Sequence, residues 1–472
     1  MKTESNSSEI LGLVITDGVG YRNFCLSDFL VEASKGYERV IIYSGLPTSV
    51  YNLEEFKNIK VVELPVFVEP FKTWFWRKFK EVAHLQLHKK FFGINDNLKS
   101  NYSDAKSNRG RATRFIFQFT KFCHSETFVQ QLEKLQKKSL VNHNITKEIS
   151  QILKKDRPNF LFFTHQRPPY MMPIIVAAEK LKIKTCSFIF SWDNLASKGR
   201  MASSFDRFVV WSDLMKEELL YFYPNTTSEN VEVVGTPQFE PYVLPKYQMD
   251  RQEFFRKFQL SENKRIICYS CGDISTSKND ELYIQVIAEA IQNKKIKEEV
   301  NFIVRTSPAE DGSRFSKIQK SFPFIIWNFP KWHLSRENHP EEWSQRIPQE
   351  EDLHDLRGLL EYCDLSINMC STMSLDFMIF DKPVINPVFG NEKNGLYNDQ
   401  RFLQYAHYKK VAESGAVEIV KDADTLIFAI NDSLQNPLKK YKEHKGILEL
   451  QIGKPLQGTS KRIVEALIKF NG

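Results

Sequence analysis

Two hydroxyl residues sit where a strand should hand over to a helix. In the run Cys363–Phe389, CDLSINMCSTMSLDFMIFDKPVINPVF, the apolar segment LSINMC ends at Ser371 and Thr372. A helical pattern carrying Asp376 follows, and Pro383 stops it before a second apolar run. Serine is a good N-cap, and a helix start offers unpaired N–H groups and the positive end of the dipole, which suit a phosphate. Ser371, Thr372 and Ser374 add hydroxyl donors, and Asp376, about one turn further in, can accept from ribose hydroxyls. Arg305 directly follows the apolar run NFIV, and a guanidinium holds phosphate oxygens in a fork. The loop SCGDISTSKND after RIICY contributes Ser270, Gly272 and Lys278: two donors, and a glycine that permits close backbone approach. Neither GxxxxGK[ST] nor GxGxxG occurs. Cys268 and Cys271 form a CxxC, but Cys363 and Cys370 are too far apart and straddle a strand. Zinc needs about four ligands, so these cysteines are expected to be buried strand-end residues and no metal site is expected.

Groups able to move a proton lie in the first half. Asp17 ends the apolar run EILGLVITDG and is followed by Gly18, Gly20 and Asn23. A carboxylate there can take the proton of an acceptor hydroxyl, or serve as a turn residue before glycine. THQRPPY puts His165 and Arg167 just past another strand. FSWDNLASKGRM puts Trp192, Asp193, Asn194 and Lys198 at or past the end of the next. Tryptophan faces suit sugar rings, and Asp or Asn binds hydroxyls. Asp17, His165 and Asp193 are therefore the candidate bases, with Asn23, Arg167, Trp192, Asn194 and Lys198 as candidate acceptor contacts.

These positions require strands that stop just before them. EILGLVI, RVIIYSG, IKVVELP, NFLFFTH, KTCSFIFSW, RFVVWS and VEVVG are short apolar or aromatic runs separated by helical patterns. That pattern predicts a parallel sheet covered on both faces. GTPQFEPYVLP reads as a linker, after which RIICYS, NFIVRT, FIIWNF, LSINMC, PVINPV and GAVEIV repeat the alternation. At 472 residues the chain exceeds one ordinary core. The expectation is α/β: two doubly wound domains, 1–238 and 239–456, facing across a cleft, with a terminal amphipathic helix at 457–472. Ligands in such sheets bind beyond the carboxyl ends of strands. The segment at about 66–150 breaks the alternation and reads as a helical insertion.

Charge is concentrated in that insertion. From Lys72 to Lys121 there are twelve Lys or Arg against three acids, a local +9 in a chain of net +7, so the remainder is −2. In KTWFWRKFKEVAHLQLHKKFF, tryptophan and phenylalanine alternate with the cations. Such a helix either turns its aromatics inward or lies on an anionic bilayer. With no nucleic-acid motif in the chain, nucleic acid is not expected as a partner. Seven scattered cysteines, a polar start and no apolar run near ~20 residues point to a reducing compartment without a spanning helix. The expected location is the cytoplasm, with peripheral contact at the inner face of the membrane.

STMSLDFMIFDKPVI resembles the carboxyl-domain signature of GT-B glycosyltransferases, many of which have Glu where this chain has Asp376. PQEEDLHDLRGLLEYCDLSINMCST and FSWDNLASKGRM resemble stretches of bacterial surface-polysaccharide transferases. NFIVRTSP and VVGTPQFEPY are similar to segments of CDP-glycerol glycerophosphotransferase-like enzymes. The resemblance implies two Rossmann-like domains and metal-independent transfer from a UDP-, GDP-, CDP- or CMP-linked sugar to a glycan or lipid-linked acceptor in cell-surface glycan synthesis. The nucleotide sugar is a substrate, and no cofactor is implied. In the second domain, Ser371, Thr372 and Ser374 would hold phosphate and Asp376 the ribose. The alternatives are a CDP-polyol phosphotransferase, a non-hydrolysing nucleotide-sugar epimerase, and an inactive scaffold that binds glycan or membrane.

Overall fold

The computed structural model describes residues 7–390 and 399–471; the polar start at 1–6 lies outside them. The first sheet contains β1 (Ser7–Ile15), β2 (Tyr37–Ser44), β3 (Ile59–Glu63), β4 (Phe160–Phe163), β5 (Lys184–Phe188), β6 (Arg207–Val210) and β7 (Val231–Val233). Its order is β3-β2-β1-β4-β5-β6-β7, and every pairing is parallel. All seven runs read as strands from the sequence are strands. β4, FLFF, is buried at every position. A strand covered on both faces has no polar side to alternate with, which is why its sequence is a continuous apolar run.

The second half continues with β8 (Arg265–Ser270), β9 (Val300–Arg305), β10 (Ile326–Asn328), β11 (Trp332–Leu334), β12 (Arg346–Pro348), β13 (Leu365–Asn368), β14 (Val384–Pro387) and β15 (Glu418–Val420). Six of these form a parallel sheet of order β10-β9-β8-β13-β14-β15, while β11 and β12 make a two-stranded ribbon. The six second-half runs all form strands of the larger sheet. In each large sheet the winding reverses once, between β1 and β4 and between β8 and β13. Those switch points leave a crevice at the carboxyl edge, the usual ligand position in doubly wound sheets.

The chain forms two compact units. One takes residues up to Glu240 together with Leu334–Ile347 and the stretch from Gln451. The other takes Pro241–His333 and Pro348–Leu450. A division by sequence alone leaves Leu334–Ile347 with the second half, yet it folds with the first unit. The last helix, Thr459–Asn471, also returns to the first unit, where a Cβ on Gly36 would lie 2.9 Å from Val464.

In the first unit, α1 (Gly18–Cys25) and α2 (Phe29–Gly36) follow β1. Between β3 and β4 lie α3 (Phe71–Leu87), α4 (Phe92–Ser100), α5 (Asn108–Thr120), α6 (Glu126–Leu140) and α7 (Asn144–Asp156). α3 turns Trp74, Phe79, Val82 and Leu85 inward, so the inward alternative holds for this helix. Lys80 is buried too, and its ammonium donates to the carbonyls of Met201 at 3.1 Å and Ala202 at 2.5 Å. Burial pushes the Lys80 ammonium down to about 8, with Glu133 working the other way. All seven cysteines are free. Among the described residues, no helix is long and apolar enough to cross a membrane, and no cluster of three or more His, Cys, Asp or Glu is placed to hold a metal.

Candidate active site

The switch point of the first sheet brings two of the candidate bases together. Asp17 follows β1 and His165 follows β4, which are neighbours in the sheet. Asp17 is fully buried and caps α1, accepting from the Val19 and Gly20 amides at 3.1 and 2.8 Å. Its other oxygen accepts from Thr16 Oγ1 at 2.9 Å and from His165 Nδ1 at 3.2 Å. An ionised carboxylate can only accept, so Nδ1 carries the proton and Nε2 presents its lone pair. Nε2 makes no hydrogen bond to the protein. The His165 ring packs against Phe190 with centroids 4.0 Å apart.

The electrostatics fit a neutral base. Burial lowers the His165 pKa below the usual histidine value, and the Arg167 charge adds to this, while Asp17 pulls the other way. Burial raises the Asp17 carboxyl, but hydrogen bonds from His165, Gly20 and Thr16 outweigh it, and Asp17 ends below the usual range. The turn at Asp17 needs a glycine next to it. A Cβ on Gly18 would stand 1.7 Å from the Arg346 carbonyl oxygen, so the ribbon could not approach any larger residue.

The acceptor candidates divide. Arg167 is half-buried and makes no hydrogen bond or ion pair. Lys198 lies 3.4 Å from Asp193, and Asp193 accepts from Asn194 Nδ2 at 2.9 Å. Asp193 thus holds its own loop together. Asn194 Oδ1 accepts from Gln166 Nε2 at 2.9 Å, so it is braced against the β4 exit. Two candidates are corrected by their burial. Trp192 is only 4% exposed, so its face is spent in packing and is not open to a sugar. Asn23 is buried beside Arg22, whose Nη1 donates to it at 3.1 Å.

Beside the dyad lies a pocket lined by Val14, Leu64, Val66, Phe67, Ile174 and other largely apolar groups, with Thr16, Tyr170, Arg336 and His339 supplying polarity. Thr16 is shared with Asp17 through its hydroxyl, and Tyr170 Oη donates to the Thr16 carbonyl at 3.2 Å. Sequence reasoning missed this pocket. Arg336 and His339 come from the ribbon segment some 320 residues after Asp17 and carry no local signal.

At the second switch point, Ser270 ends β8 opposite Asn368 of β13, so the Ser270–Lys278 loop and the Ser371–Thr372 turn are neighbours as expected. The amides are not open. Ser371 N donates to Asn368 Oδ1, Met373 N to Ser371 Oγ and Ser374 N to the Ser371 carbonyl, each at 3.0 Å. The helix that follows is only seven residues long. An open amide cradle is therefore replaced by an internally capped turn. Ser371 and Thr372 are half-buried, and Lys278 is exposed. Cys370 adopts φ +48° at this turn, a left-handed conformation that costs a non-glycine residue about 1–2 kcal/mol and that concentrates at ligand-binding turns.

Four expected donor contacts are committed elsewhere. Ser374 is fully buried, hydrogen-bonded to Asn368 Oδ1 at 3.0 Å and Tyr408 Oη at 2.7 Å. The Asp376 carboxylate accepts from the Tyr242 hydroxyl and is buried. Arg305 forks onto Asp352 at 2.9 and 3.0 Å and donates to Asn328. Gly272 N donates to Asp280 at 3.0 Å. Burial pushes Asp280 up to about 7 against the pull of Tyr269 and Arg314. Two polar atoms that the sequence did not flag stand out: Thr306 Oγ1, just past β9, and Asn368 Nδ2, at the end of β13, are buried without a protein partner. A buried donor left unmatched costs about 1–3 kcal/mol.

No family model matches the chain. Over 164 residues it is 27% identical to the processive diacylglycerol beta-glucosyltransferase of Bacillus licheniformis, an alignment covering 34% of this chain and 37% of that protein. The chain thus spans about a third of that relative's length. Among solved structures it resembles UGT89C1 of Arabidopsis thaliana, with a TM-score of 0.52 and 12% identity over 98% of this chain and 100% of that one. It also resembles the UDP-GlcNAc 2-epimerase of Methanocaldococcus jannaschii, with a TM-score of 0.52 and 13% identity over 98% and 99%. The fold is two Rossmann-like units of the GT-B kind.

Proposed function

We propose that this chain of GT-B fold is a nucleotide-sugar-dependent glycosyltransferase that moves a sugar onto an acceptor hydroxyl. The observation that carries the reading is the Asp17–His165 pair at the first switch point, with a lone pair on Nε2. His165 takes the proton of the acceptor hydroxyl. The hydroxyl oxygen bonds to the anomeric carbon as the bond from that carbon to the phosphate oxygen breaks, and the nucleotide leaves. Asp17 holds the tautomer and stabilises the imidazolium that forms. A single displacement of this kind inverts the anomeric configuration.

The donor belongs at the β8/β13 switch point. The hydroxyls of Ser371 and Thr372 and the ammonium of Lys278 meet the phosphates there, and these protein donors carry the leaving charge without a divalent ion. Supporting this are the position itself, the strained Cys370 turn and the unmatched Asn368 and Thr306 atoms. A role in bacterial cell-surface glycan synthesis, on the cytoplasmic side of the membrane, draws on the sequence resemblances. The Bacillus relative, a glucosyltransferase named for a diacylglycerol, favours a lipid-borne acceptor.

A second reading, nucleotide-sugar epimerisation, is favoured by the whole-length likeness to the archaeal epimerase. Incubation with UDP-, GDP-, CDP- and CMP-sugars, with and without acceptor lipids, separates the two. Release of nucleotide with a glycosylated product of inverted configuration is expected. Interconversion of nucleotide sugars without acceptor would replace the proposal with the epimerase, and transfer of polyol phosphate from an added CDP-polyol to the acceptor, with release of CMP, would replace it with the phosphotransferase.

A further inference from the structure

The water-facing side of α5 has the wrong composition for water. α5 buries Gly110, Thr113, Ile116, Phe117 and Thr120 against its neighbours. A helix packed in this way normally turns charged or polar groups outward. Here Phe115 and Phe119 are 56% and 41% exposed, and Phe122, just past the helix end, is 86% exposed. Their spacing of four and three residues puts them on one stripe. Phe115 and Phe119 still touch the buried Phe79, with ring centroids at 6.5 and 5.4 Å, whereas Phe122 makes no ring contact.

Cations flank this stripe. Residues 105–125 include Lys106, Arg109, Arg111, Arg114 and Lys121 and no Asp or Glu. None of the five pairs with a carboxylate. Arg109 lies over the Trp74 ring at 5.1 Å, Arg111 bonds Asn108, Arg114 bonds the carbonyls of Ser103 and Ala105, and Lys121 bonds Gln118. Unpaired cations beside exposed aromatic rings complement a surface that is anionic outside and apolar just beneath, which describes a bilayer rich in acidic lipid. The chain also links α3, whose Phe79 packs against Phe115 and Phe119, to the candidate site. Leu64, Pro65, Val66 and Phe67 line the pocket beside Asp17, and the segment continues through exposed Val68 and Phe71 into α3.

We infer that the exposed face of α5, built from Phe115, Phe119 and Phe122 with Arg111 and Lys121, docks this protein on an anionic bilayer. The phenylalanines enter the headgroup region and the cations meet acidic headgroups. The lipid nature of the acceptor rests on the transferase reading; the docking itself does not. The test is sedimentation of the full chain with phosphatidylcholine vesicles and with vesicles holding a quarter phosphatidylglycerol. Binding is expected only to the latter and to weaken with salt. Phe122→Ser and Lys121→Glu, both at exposed positions, should each lower binding about tenfold. Thermal unfolding and nucleotide affinity should stay unchanged. Equal binding to both vesicle types, or full binding by both variants, would overturn the inference. So would self-association of the wild type that Phe122→Ser abolishes, which would make this face a contact between copies. Anionic-vesicle binding without sugar transfer would leave the docking in place and remove the transferase reading.

Discussion

As the proposed base, His165 must be neutral, and its surroundings favour that form. Burial and Arg167 hold its pKa below the usual value of 6.5, and Asp17 partly restores it. kcat/KM should therefore fall on the acid side, with a midpoint below pH 6.5, and be flat from neutrality upward to pH 8. Asp17→Asn removes the group that raises the imidazole, so the acid limb should move lower still while the rate drops. His165→Asn should lower kcat/KM by about 10²–10⁴ with nucleotide affinity unchanged by calorimetry. A rate loss in the two variants without any change in pH profile would point to a structural pair. Among these residues the sequence proposed Asp17 and His165 as separate candidates. Their pairing came from the sheet, because they are 148 positions apart in the chain and only β1–β4 adjacency joins them.

At the scale of elements, Arg305 shows how a strand end can mislead. Its sequence position, after NFIV at a carboxyl edge, fits a phosphate fork equally well as an internal one. In the structure it is buried against the nearly buried Asp352, which also accepts from Trp332 Nε1 at 2.9 Å. The pair ties β9 to the helix Glu350–Tyr362. Arg305→Ala would leave the carboxylate buried without its cation, at a cost of about 3–5 kcal/mol. Denaturant unfolding should register that loss, while the folded variant keeps its nucleotide affinity. Unchanged stability with lost affinity would restore Arg305 to the donor site. The same lesson holds for α3 and α5. The aromatic-basic run at 72–92 drew attention, yet its helix turns Trp74 and Phe79 inward, while Phe115 and Phe119 of α5 and Phe122 just past it stay exposed. Composition locates a charged aromatic segment, but which stripe stays outside depends on what packs against it.

At the scale of the molecule, the first unit is assembled from three stretches of chain. Ser460 bonds Glu240, its amide at 2.9 Å and its hydroxyl as well. The final helix buries Ile463, Val464, Leu467 and Phe470. A fragment ending at Glu240 should therefore lack a cooperative thermal transition and bind hydrophobic dye, since it exposes the surface those side chains cover. Supplying 451–472 through a flexible linker should recover part of the transition. A fully cooperative 1–240 fragment would show that the returning helix is dispensable.

The amino-acid sequence by itself determined the two parallel sheets, strand for strand, because runs buried on both faces are apolar without alternation and the turns between them are marked by glycine and proline. It also determined which loops lie past strand ends, and so placed Asp17, His165, Ser270 and Ser371 there; strand order then made those ends the two switch points. Tertiary structure alone decided that Asp17 holds His165. It decided too that Trp192, Ser374, Asp376 and Arg305 are spent on internal contacts, and that Arg336 and His339 line the pocket beside the Asp17–His165 pair. Each of those outcomes depends on a neighbour distant in the chain. A polar group's availability is set by whether such a neighbour already satisfies it, and local sequence holds no record of that.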